Sequence, residues 1–414
     1  MHRRIFLLGG LAAAAVTGCS SVMGKPEVHL YVGTTTYEPV GPDIPEAVSA
    51  AKSSQLLAWR VLTEAPGPEN RLCSPASMAA ALALVGLGAT GKTAQDFDEL
   101  FGMTATDRAR SIDALRNNLR NYESLPKTLD AKKPPKTPVV HIANRILMCG
   151  DAEPKQPFLD EAKTYLDAGA ERARVSEAQD ALDSWVKDNT AGLIEKSGVK
   201  VTDSTLLVVQ DALLFAAAWS SEFTSDKAPL SFTRGDGEQV EISALKGDFH
   251  TRSASGDGWK AVRLSYDDTL AMDVLLPPQG ISPLSWDVSV LQETHEALTA
   301  APLGTIEVVM PSVDLRHTLD LKTLLEALGI NLSSFNNIFD GAEVEQAVQQ
   351  TRLQVTAQGT VGAAVTEISI PMSAPVPGPG LTELIVDHPY LMRVLDVRTG
   401  WPLFLAVVSD PLSE

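Results

Sequence analysis

The chain has 414 residues, 44% of them hydrophobic and 21% charged, and it carries a net charge of −18 at pH 7. This composition excludes a disordered chain, a collagen-like chain and a bundle of membrane helices. The negative charge argues against nucleic acid as a partner, since it repels phosphate backbones. The three cysteines are too few for a disulfide scaffold.

The first nineteen residues have the pattern of an export signal. Arg3 and Arg4 precede an apolar run over 5–16. Twelve helical residues span about 18 Å, too short for a hydrocarbon core of roughly 30 Å. We therefore predict a signal peptide over 1–18. Arg3 and Arg4 also resemble a twin-arginine export motif.

The signal ends in small residues before Cys19, which resembles a bacterial lipobox. This predicts an exported protein with lipid on Cys19, anchored in a membrane and facing the periplasm or the cell exterior. The alternative is an ordinary secretory signal with an unmodified Cys19. Residues 19–44 then read as the lipidated N-terminus and a tether, and 45–414 as the folded domain. Cys73 and Cys149 lie in apolar stretches, so we expect buried thiols.

Helical periodicity dominates the first half of the domain, and strand-like runs follow. Residues 158–166 and 321–328 each place apolar side chains on one helical face, with Gly329 positioned to end the second helix. The runs 206–209, 272–276, 305–310 and 403–408 read as strands. Helices first and mostly strands afterwards predict an α+β fold.

Two segments rich in proline should be surface loops. Residues 125–137 hold three prolines and four lysines, and 371–380 hold four prolines and two glycines. Neither segment can form a central strand or a helix. An exposed loop of this kind is accessible to proteases and partners.

Residues 86–93 match the GxxxxGK[ST] pattern of a P-loop, and a P-loop nucleotidase is therefore one alternative function. Leu206–Asp211 could supply the apolar strand that ends in a magnesium-binding aspartate. Two observations oppose this interpretation. The preceding residues 77–85 read as helix, whereas a P-loop follows a strand, and an exported chain meets little nucleotide triphosphate.

Other catalytic signatures are absent from the sequence. It contains no GxSxG elbow and no HExxH motif, and its seven histidines show no spacing typical of metal ligands. We expect His388 to be a structural hydrogen-bonding residue. The sequence therefore predicts neither an enzyme nor a cofactor or metal site.

Residues 360–370 alternate as a strand does, and one face carries only small or apolar side chains. That face consists of Thr360, Gly362, Ala364, Thr366, Ile368 and Ile370. A face without charge could be buried in the middle of a sheet. Without further context, the segment is an ordinary strand followed by a polar loop.

Several segments in order resemble the serpin family along nearly all of 45–411. They are Asn70–Ser77, Gly88–Thr93, Ala143–Asn144, Asp183–Val186, Thr190–Gly192, Val209–Trp219, Met272–Pro277, Asp387–Leu391 and Thr399–Leu405. The resemblance also explains the P-loop match as part of a structural motif of the family, because Gly88–Thr93 corresponds to that motif. It is the order of the segments that carries the identification.

The resemblance implies a monomer with three β-sheets, eight to nine helices and an exposed reactive-centre loop. It also implies a suicide-substrate inhibitor of serine or cysteine proteases. After cleavage the loop inserts into sheet A and carries the covalently bound, acylated protease with it. The hinge of that loop corresponds to Gly359, Thr360, Val361, Gly362, Ala363, Ala364, Val365 and Thr366.

The resemblance also assigns a shutter region, where sheet A opens, to Ser74, Ser77, Asp211 and Gln349. This chain departs from the family there, since Asp211 replaces the usual Asn and Gln349 the usual His. An Asp–Gln pair can still hydrogen-bond, so we expect the contact to be kept. In the hinge, Val361 replaces the usual Glu.

Family spacing from Gly359 places the reactive bond after Met372 or after Ser373, and we choose the bond between Met372 and Ser373. An apolar Met suits elastase-, chymotrypsin- or subtilisin-like pockets and not a trypsin-like pocket, which prefers Lys or Arg. The second alternative function is a non-inhibitory serpin that acts as a carrier or interaction protein, because Val361 departs from the inhibitory pattern.

Overall fold

The computed structural model describes residues 26–41, 45–64, 69–362 and 380–413. Within these ranges the chain forms eight α-helices and sixteen strands. The helices are α1 (Pro45–Glu64), α2 (Pro75–Gly86), α3 (Gly91–Phe101), α4 (Ala105–Asn118), α5 (Gln156–Leu166), α6 (Val175–Asn189), α7 (Ser289–Ala300) and α8 (Leu321–Ala327).

The strands fall into two groups along the chain. The first seven are β1 (Val28–Tyr31), β2 (Arg71–Cys73), β3 (Val139–Cys149), β4 (Ala170–Ala173), β5 (Leu207–Ala218), β6 (Ser225–Thr233) and β7 (Gln239–Gly256). The others are β8 (Trp259–Ser265), β9 (Leu270–Leu276), β10 (Leu303–Pro311), β11 (Val313–Asp320), β12 (Val348–Val355), β13 (Gly359–Gly362), β14 (Glu383–Ile385), β15 (Tyr390–Asp396) and β16 (Pro402–Val408).

The α+β fold class is confirmed, although the described strands join into two sheets and not three. The first sheet has the order β1-β4-β3-β5-β13-β12-β11. The second has the order β14-β10-β7-β8-β9-β15-β16-β2, with β6 paired to β7. The 18-residue strand β7 pairs with β6 and β10, and its last residues pair with β8. This strand therefore joins two of the three sheets that the family resemblance implies.

The hydrophobic core lies between the two sheets, around helix α2. Ser74 caps this helix, because its side-chain oxygen accepts a hydrogen bond from the backbone amide of Ser77, and Pro75 occupies the first helical position. Nearly every residue of α2 is buried, as are all residues of β9, β15 and β16. Mostly apolar runs of this kind are expected where both faces of an element are covered, and the buried Asp273 of β9 and Arg393 of β15 form an ion pair at 2.8 Å.

The elements predicted from periodicity are present. Helix α5 covers the first predicted helical face, and α8 is followed by Gly329 with a φ of +84°, a left-handed conformation that suits glycine. Residues 125–137 contain no regular helix or strand, as predicted. Cys73 and Cys149 are free and buried, also as predicted.

The segment predicted as a tether is partly folded onto the domain. Strand β1 pairs antiparallel with β4 at the edge of the first sheet. Further along, the Tyr37 hydroxyl donates a 2.9 Å hydrogen bond to the Asp113 carboxylate, which also accepts one from the backbone amide of Val40 at 3.0 Å. Residues 26–41 are thus part of the structured domain, which the sequence predicts to begin at 45.

The described residues contain neither a helix suited to spanning a membrane nor a cluster suited to binding a metal ion. None of their helices combines the length and apolar character that a membrane span requires. The same residues contain no cluster of three or more His, Cys, Asp or Glu side chains placed to hold a metal ion.

Candidate functional site

The start of the predicted hinge lies inside the first sheet as β13. It pairs antiparallel with β5, with Gly359 opposite Ala218 and Gly362 opposite Phe215. On its other side, Val361 pairs with Gln354 of β12. Among the described residues β5 and β12 do not pair with each other. A strand on each side of β13 puts β5 and β12 about 10 Å apart.

Thr360 points into the core and is fully buried. The Tyr266 hydroxyl donates a 2.7 Å hydrogen bond to Oγ1 of Thr360. The Tyr266 ring stacks on Trp219, with 4.6 Å between centroids and 11° between planes. No pattern in the sequence points to this role of Tyr266. A buried threonine in a predicted strand signals that some hydrogen-bond partner must exist, but it does not identify that partner.

Gly359 is required by close packing at the top of the sheet. A Cβ atom on this residue would collide with the carbonyl oxygen of Ala217. The next two hinge residues need no glycine, and Val361 is almost completely buried, with 1% of its surface exposed. Valine at the position where the family usually has Glu therefore already occupies the sheet interior.

The proline- and lysine-rich loop packs against the hinge. The carbonyl oxygen of Pro135 accepts a 3.0 Å hydrogen bond from the backbone amide of Ala218 at the end of β5. The hydroxyl of Thr356, in the turn before β13, donates to the carbonyl oxygen of Ala131 at 3.1 Å. The predicted surface loop thus caps the end of the sheet where β13 enters.

Three of the four predicted shutter residues form one hydrogen-bonded group. Gln349 binds both backbone groups of Ser74, since Oε1 accepts from the amide at 2.9 Å and Nε2 donates to the carbonyl at 3.0 Å. The Ser74 hydroxyl donates to the carbonyl oxygen of Leu403 at 2.8 Å and caps Ser77. This group ties β12, the start of α2 and β16 together.

The expected hydrogen bond between Asp211 and Gln349 is not formed. The Gln349 amide bonds instead to both backbone groups of Ser74, and no hydrogen bond joins it to Asp211 among the described residues. Asp211 instead lines the gap between β5 and β12, beside Ser74 and Ser77. Partial burial raises the pKa of Asp211 to about 7, and a hydrogen bond with its own backbone amide opposes that rise.

The residues that match a P-loop do not form a phosphate site. Helix α2, and not a strand, leads into Gly88, and a Cβ atom there would collide with Ile338. Lys92 forms an ion pair with Asp96, and the buried Thr93 hydroxyl donates to Oδ1 of Asn331 at 2.7 Å. The backbone and the side chains that would cradle a phosphate are thus committed to protein contacts.

Several predicted residues lie outside the described ranges. They are the second half of the hinge (Ala363, Ala364, Val365 and Thr366), the reactive-bond residues Met372 and Ser373, and the lipidation residue Cys19. His388, in contrast, lies in a described strand connection. Its ring nitrogens lie 2.7 Å from the carbonyl oxygen of Pro277 and 2.6 Å from the carboxylate of Asp387, so it is a structural residue as predicted.

Known proteins with similar structures share this architecture. The thermophilic serpin tengpin in its native state superposes with a TM-score of 0.72 at 20% identity, covering 91% of this chain and 97% of tengpin. Thyroxine-binding globulin in complex with thyroxine gives a TM-score of 0.70 at 20% identity, covering 90% and 100% of the two chains. At this identity the likeness establishes the fold alone.

The sequence comparisons agree with the fold. Neuroserpin of Homo sapiens is 26% identical over 372 residues, which are 83% of this chain and 86% of that protein. Serpin-Z7 of Hordeum vulgare is 25% identical over 368 residues, covering 83% and 90%. The family profile for Serpin (serine protease inhibitor) matches residues 54–411. The chain therefore belongs to the serpin family.

Proposed function

We propose that this protein is a suicide-substrate inhibitor of serine or cysteine endopeptidases, and not an enzyme. Cleavage of its reactive-centre loop would be followed by insertion of the loop into the first sheet, between β5 and β12. The target protease would be its partner, and the loop would present the bond between Met372 and Ser373.

The observation that carries the proposal is the position of β13. Four hinge residues pair with β5, two of them, Thr360 and Val361, also pair with β12, and among the described residues β5 and β12 do not pair with each other. An unpaired strand edge is a template for a further strand. The next residues in sequence, Ala363 and Ala364, are small, so they add little steric resistance to insertion.

The chemistry follows from acyl transfer by the protease itself. The protease nucleophile attacks the carbonyl carbon of Met372, the bond to the nitrogen of Ser373 breaks, and that nitrogen leaves as an amine after taking a proton. Met372 is then held to the protease as an ester, or as a thioester with a cysteine protease. Insertion of the loop would displace the acylated protease and distort its catalytic site before water hydrolyses that bond.

We propose in addition that the protein is exported and anchored by lipid on Cys19. The support is the short apolar run that ends in small residues and a cysteine. Strand β1 begins at Val28, so eight residues separate Cys19 from the folded domain. Eight extended residues reach at most about 30 Å, which would hold this edge of the first sheet close to the membrane surface.

A denaturing gel tests the inhibitory function. The protein is incubated with elastase-, chymotrypsin- and trypsin-like proteases, and a covalent complex that survives boiling in detergent is expected with the first two. A protease whose catalytic serine is replaced by alanine is the matched control and should give no such complex. Cleavage of the loop without any complex would contradict inhibition.

A second candidate function is that of a non-inhibitory carrier or interaction protein. Val361 favours it, because the usual Glu of the hinge is replaced, and thyroxine-binding globulin shares the fold. Thermal unfolding before and after loop cleavage separates the two functions. Inhibition requires insertion, and insertion should raise the unfolding temperature strongly, whereas a carrier without insertion should show no rise.

A further inference from the structure

Two side chains of β3 attach helix α6 to one face of the first sheet. His141 and Arg145 lie on the same face of the strand, because residues four apart point to the same side. The Arg145 guanidinium donates a 2.7 Å hydrogen bond to the carbonyl oxygen of Ala181, in the middle of α6, and lies 5.1 Å from the centre of the Trp185 ring. His141 contacts the last residue of the helix, Asn189. The helix is thus held at its middle by a permanent cation and at its end by an imidazole.

Both ring nitrogens of His141 face hydrogen-bond acceptors. Nδ1 lies 2.5 Å from Oε1 of Glu123, and Nε2 lies 2.9 Å from Oδ1 of Asn189. The orientation of the Asn189 amide is fixed, because its Nδ2 donates a 2.8 Å hydrogen bond to the carbonyl oxygen of Trp185. A carboxylate oxygen and an amide oxygen accept hydrogen bonds and donate none. Each ring nitrogen must therefore carry a proton in order to bond with its partner.

A neutral imidazole at this position cannot make both bonds. It has one N–H group and one bare nitrogen, whereas an imidazolium has two N–H groups. In either neutral tautomer, a lone pair of the ring would face a lone pair of Glu123 or of Asn189 at hydrogen-bonding distance. The geometry around His141 thus fits the protonated ring alone.

We propose that His141 is a pH-sensitive latch. Its imidazolium form bonds Asn189 at the end of α6 and Glu123 to the first sheet, and loss of the proton loosens both attachments. Glu123 directly follows the 3₁₀ turn Arg120–Tyr122 and forms a β-bridge with Val140, so the latch joins three separate segments of the chain. It goes beyond the proposed inhibitory function and does not depend on it, since it describes the native fold.

The surroundings of the ring favour its charged form. Burial alone would lower the pKa of His141, but the hydrogen bonds to Glu123 and Asn189 and the charge of the Glu123 carboxylate outweigh burial and raise this pKa above its ordinary value. The positive charge of Arg116 in α4 opposes the rise. On β5, the residue opposite His141 is the uncharged Leu214. A cation near the end of α6 also interacts favourably with the helix dipole.

Alkaline pH should loosen the end of α6. Because the pKa of His141 is higher in the folded chain than the unfolded value of about 6.5, the latch is fully closed below that value and opens as the pH rises through the folded pKa. Thr190 and Ile194 come after α6 and line the gap between β5 and β12. Opening the latch would therefore loosen a segment that borders this gap.

Nuclear magnetic resonance of the protein with isotope-labelled histidine tests whether the ring is charged. The His141 signal is assigned by its absence from His141→Gln and is followed from pH 5 to pH 9. We expect a pKa above about 6.5, the ordinary value. Glu123→Gln should lower this pKa, because an uncharged oxygen holds the proton less strongly. A wild-type value of 6.5 or less, or an unchanged value in Glu123→Gln, would overturn the latch.

Hydrogen exchange tests whether the charged ring holds α6. Exchange of backbone amides in peptides that span residues 183–194 is measured by mass spectrometry at pH 6 and pH 9. His141→Gln is compared with the wild-type protein at each pH, so that the intrinsic effect of pH on exchange cancels. At pH 6 the variant should exchange about fivefold faster or more, as expected for the loss of a hydrogen bond to a charged group. At pH 9 the two proteins should exchange alike.

Two further variants keep the test decisive. Glu123 is half-exposed, so Glu123→Gln should fold even if His141→Gln does not, and it should also speed exchange at pH 6. His250→Gln is the matched control, because His250 is an exposed residue of β7 in the second sheet and its replacement should leave exchange in α6 unchanged. Unchanged exchange in His141→Gln at pH 6, an equal acceleration at pH 6 and pH 9, or the same acceleration in His250→Gln would each refute the switch.

Discussion

The Tyr266 hydroxyl donates a 2.7 Å hydrogen bond to Oγ1 of Thr360 and so ties the hinge to a strand connection of the second sheet. Tyr266 follows β8 and is buried, and its pKa is raised well above the ordinary value because its surroundings exclude water. The phenol therefore stays protonated and able to donate at any physiological pH. The hydrogen bond thus connects β13, which belongs to the hinge, with the connection after β8 in the second sheet.

Removing this hydroxyl should loosen the hinge. In Tyr266→Phe the ring and its stacking on Trp219 remain, while Thr360 loses a buried hydrogen bond of about 1 kcal/mol. Hydrogen exchange at the backbone amides of β13 should become roughly fivefold faster, as expected for a loss of that size. Exchange is measured by mass spectrometry of peptides that span residues 356–362.

Tyr390→Phe is the matched control for that prediction. The Tyr390 hydroxyl is also buried, yet it has no hydrogen-bond partner among the described residues. Its removal should leave exchange in β13 unchanged and should not destabilise the protein. Equal exchange rates in Tyr266→Phe and Tyr390→Phe would show that the Tyr266 bond does not hold the hinge.

Placing a charge on the inserted face should abolish inhibition. Thr360 is fully buried in the sheet, so Thr360→Arg would bury a long cationic side chain without a partner, at a cost of several kcal/mol. The variant should still be cleaved but should act as a substrate and form no covalent complex. The measurement is the stoichiometry of inhibition. An unchanged value for Thr360→Arg would refute insertion as the mechanism.

The hinge illustrates how far the sequence alone predicts this site. The alternation over 360–370 predicts one core-facing side, and Thr360 on that side is fully buried. Val361 on the opposite side is almost completely buried as well, so the alternation does not predict that both faces of β13 are covered. The Asp211–Gln349 pair was predicted wrongly, because Gln349 instead bonds to the backbone of Ser74. Periodicity separates the two sides of a strand, but it does not report which groups from distant segments cover either side.

In the sheets, too, local sequence patterns predict single elements but not how distant elements pair. Helix α8 and its terminal Gly329 follow from local patterns, and the structure contains both. The connection of two expected sheets through β7, and the pairing of β1 with β4, depend on contacts between segments far apart in the chain. No local pattern encodes such contacts, so the sequence places the N-terminal boundary of the domain too late.

The raised pKa of Asp211 predicts a pH-dependent stability. The unfolded carboxyl has a pKa near 3.9 and the folded one about 7, so the folded state holds the extra proton between these values. Stability contributed by this group therefore falls as the pH rises from about 4 to 7, by an amount on the order of a few kcal/mol, and then stays constant.

Asp211→Asn should remove this pH dependence, since an amide does not titrate. The variant should be about as stable as the wild-type protein at pH 4 and more stable at pH 8. Denaturant unfolding at pH 4, 6 and 8 measures the difference. A difference between the two proteins that does not change with pH would contradict ionisation of Asp211 as its source.

The lipid anchor is tested at Cys19. Cys19→Ala removes the thiol that would receive lipid, so the protein should leave the membrane fraction or keep its signal peptide. Detection of the protein in separated membrane and soluble fractions measures this. Cys73→Ala is unsuitable as a control because Cys73 is buried in the core. Ser20→Ala is the matched control, since it changes a neighbour of Cys19 and should leave membrane partitioning unchanged. Equal partitioning of the Cys19 and Ser20 variants would refute the anchor.

A substitution at Met372 tests the reactive bond, because it should change which class of protease is inhibited. Met372 offers an unbranched apolar side chain to the primary pocket of an elastase- or chymotrypsin-like protease, and Ser373 leaves a small residue across the bond. In Met372→Arg the guanidinium would pair with the carboxylate in the pocket of a trypsin-like protease. Complex formation should therefore shift toward trypsin-like proteases and weaken with the others.

Wild-type cleavage should release a fragment that spans residues 373–414. Mass spectrometry identifies its first residue, and a fragment that begins at Ala374 would place the bond after Ser373 instead.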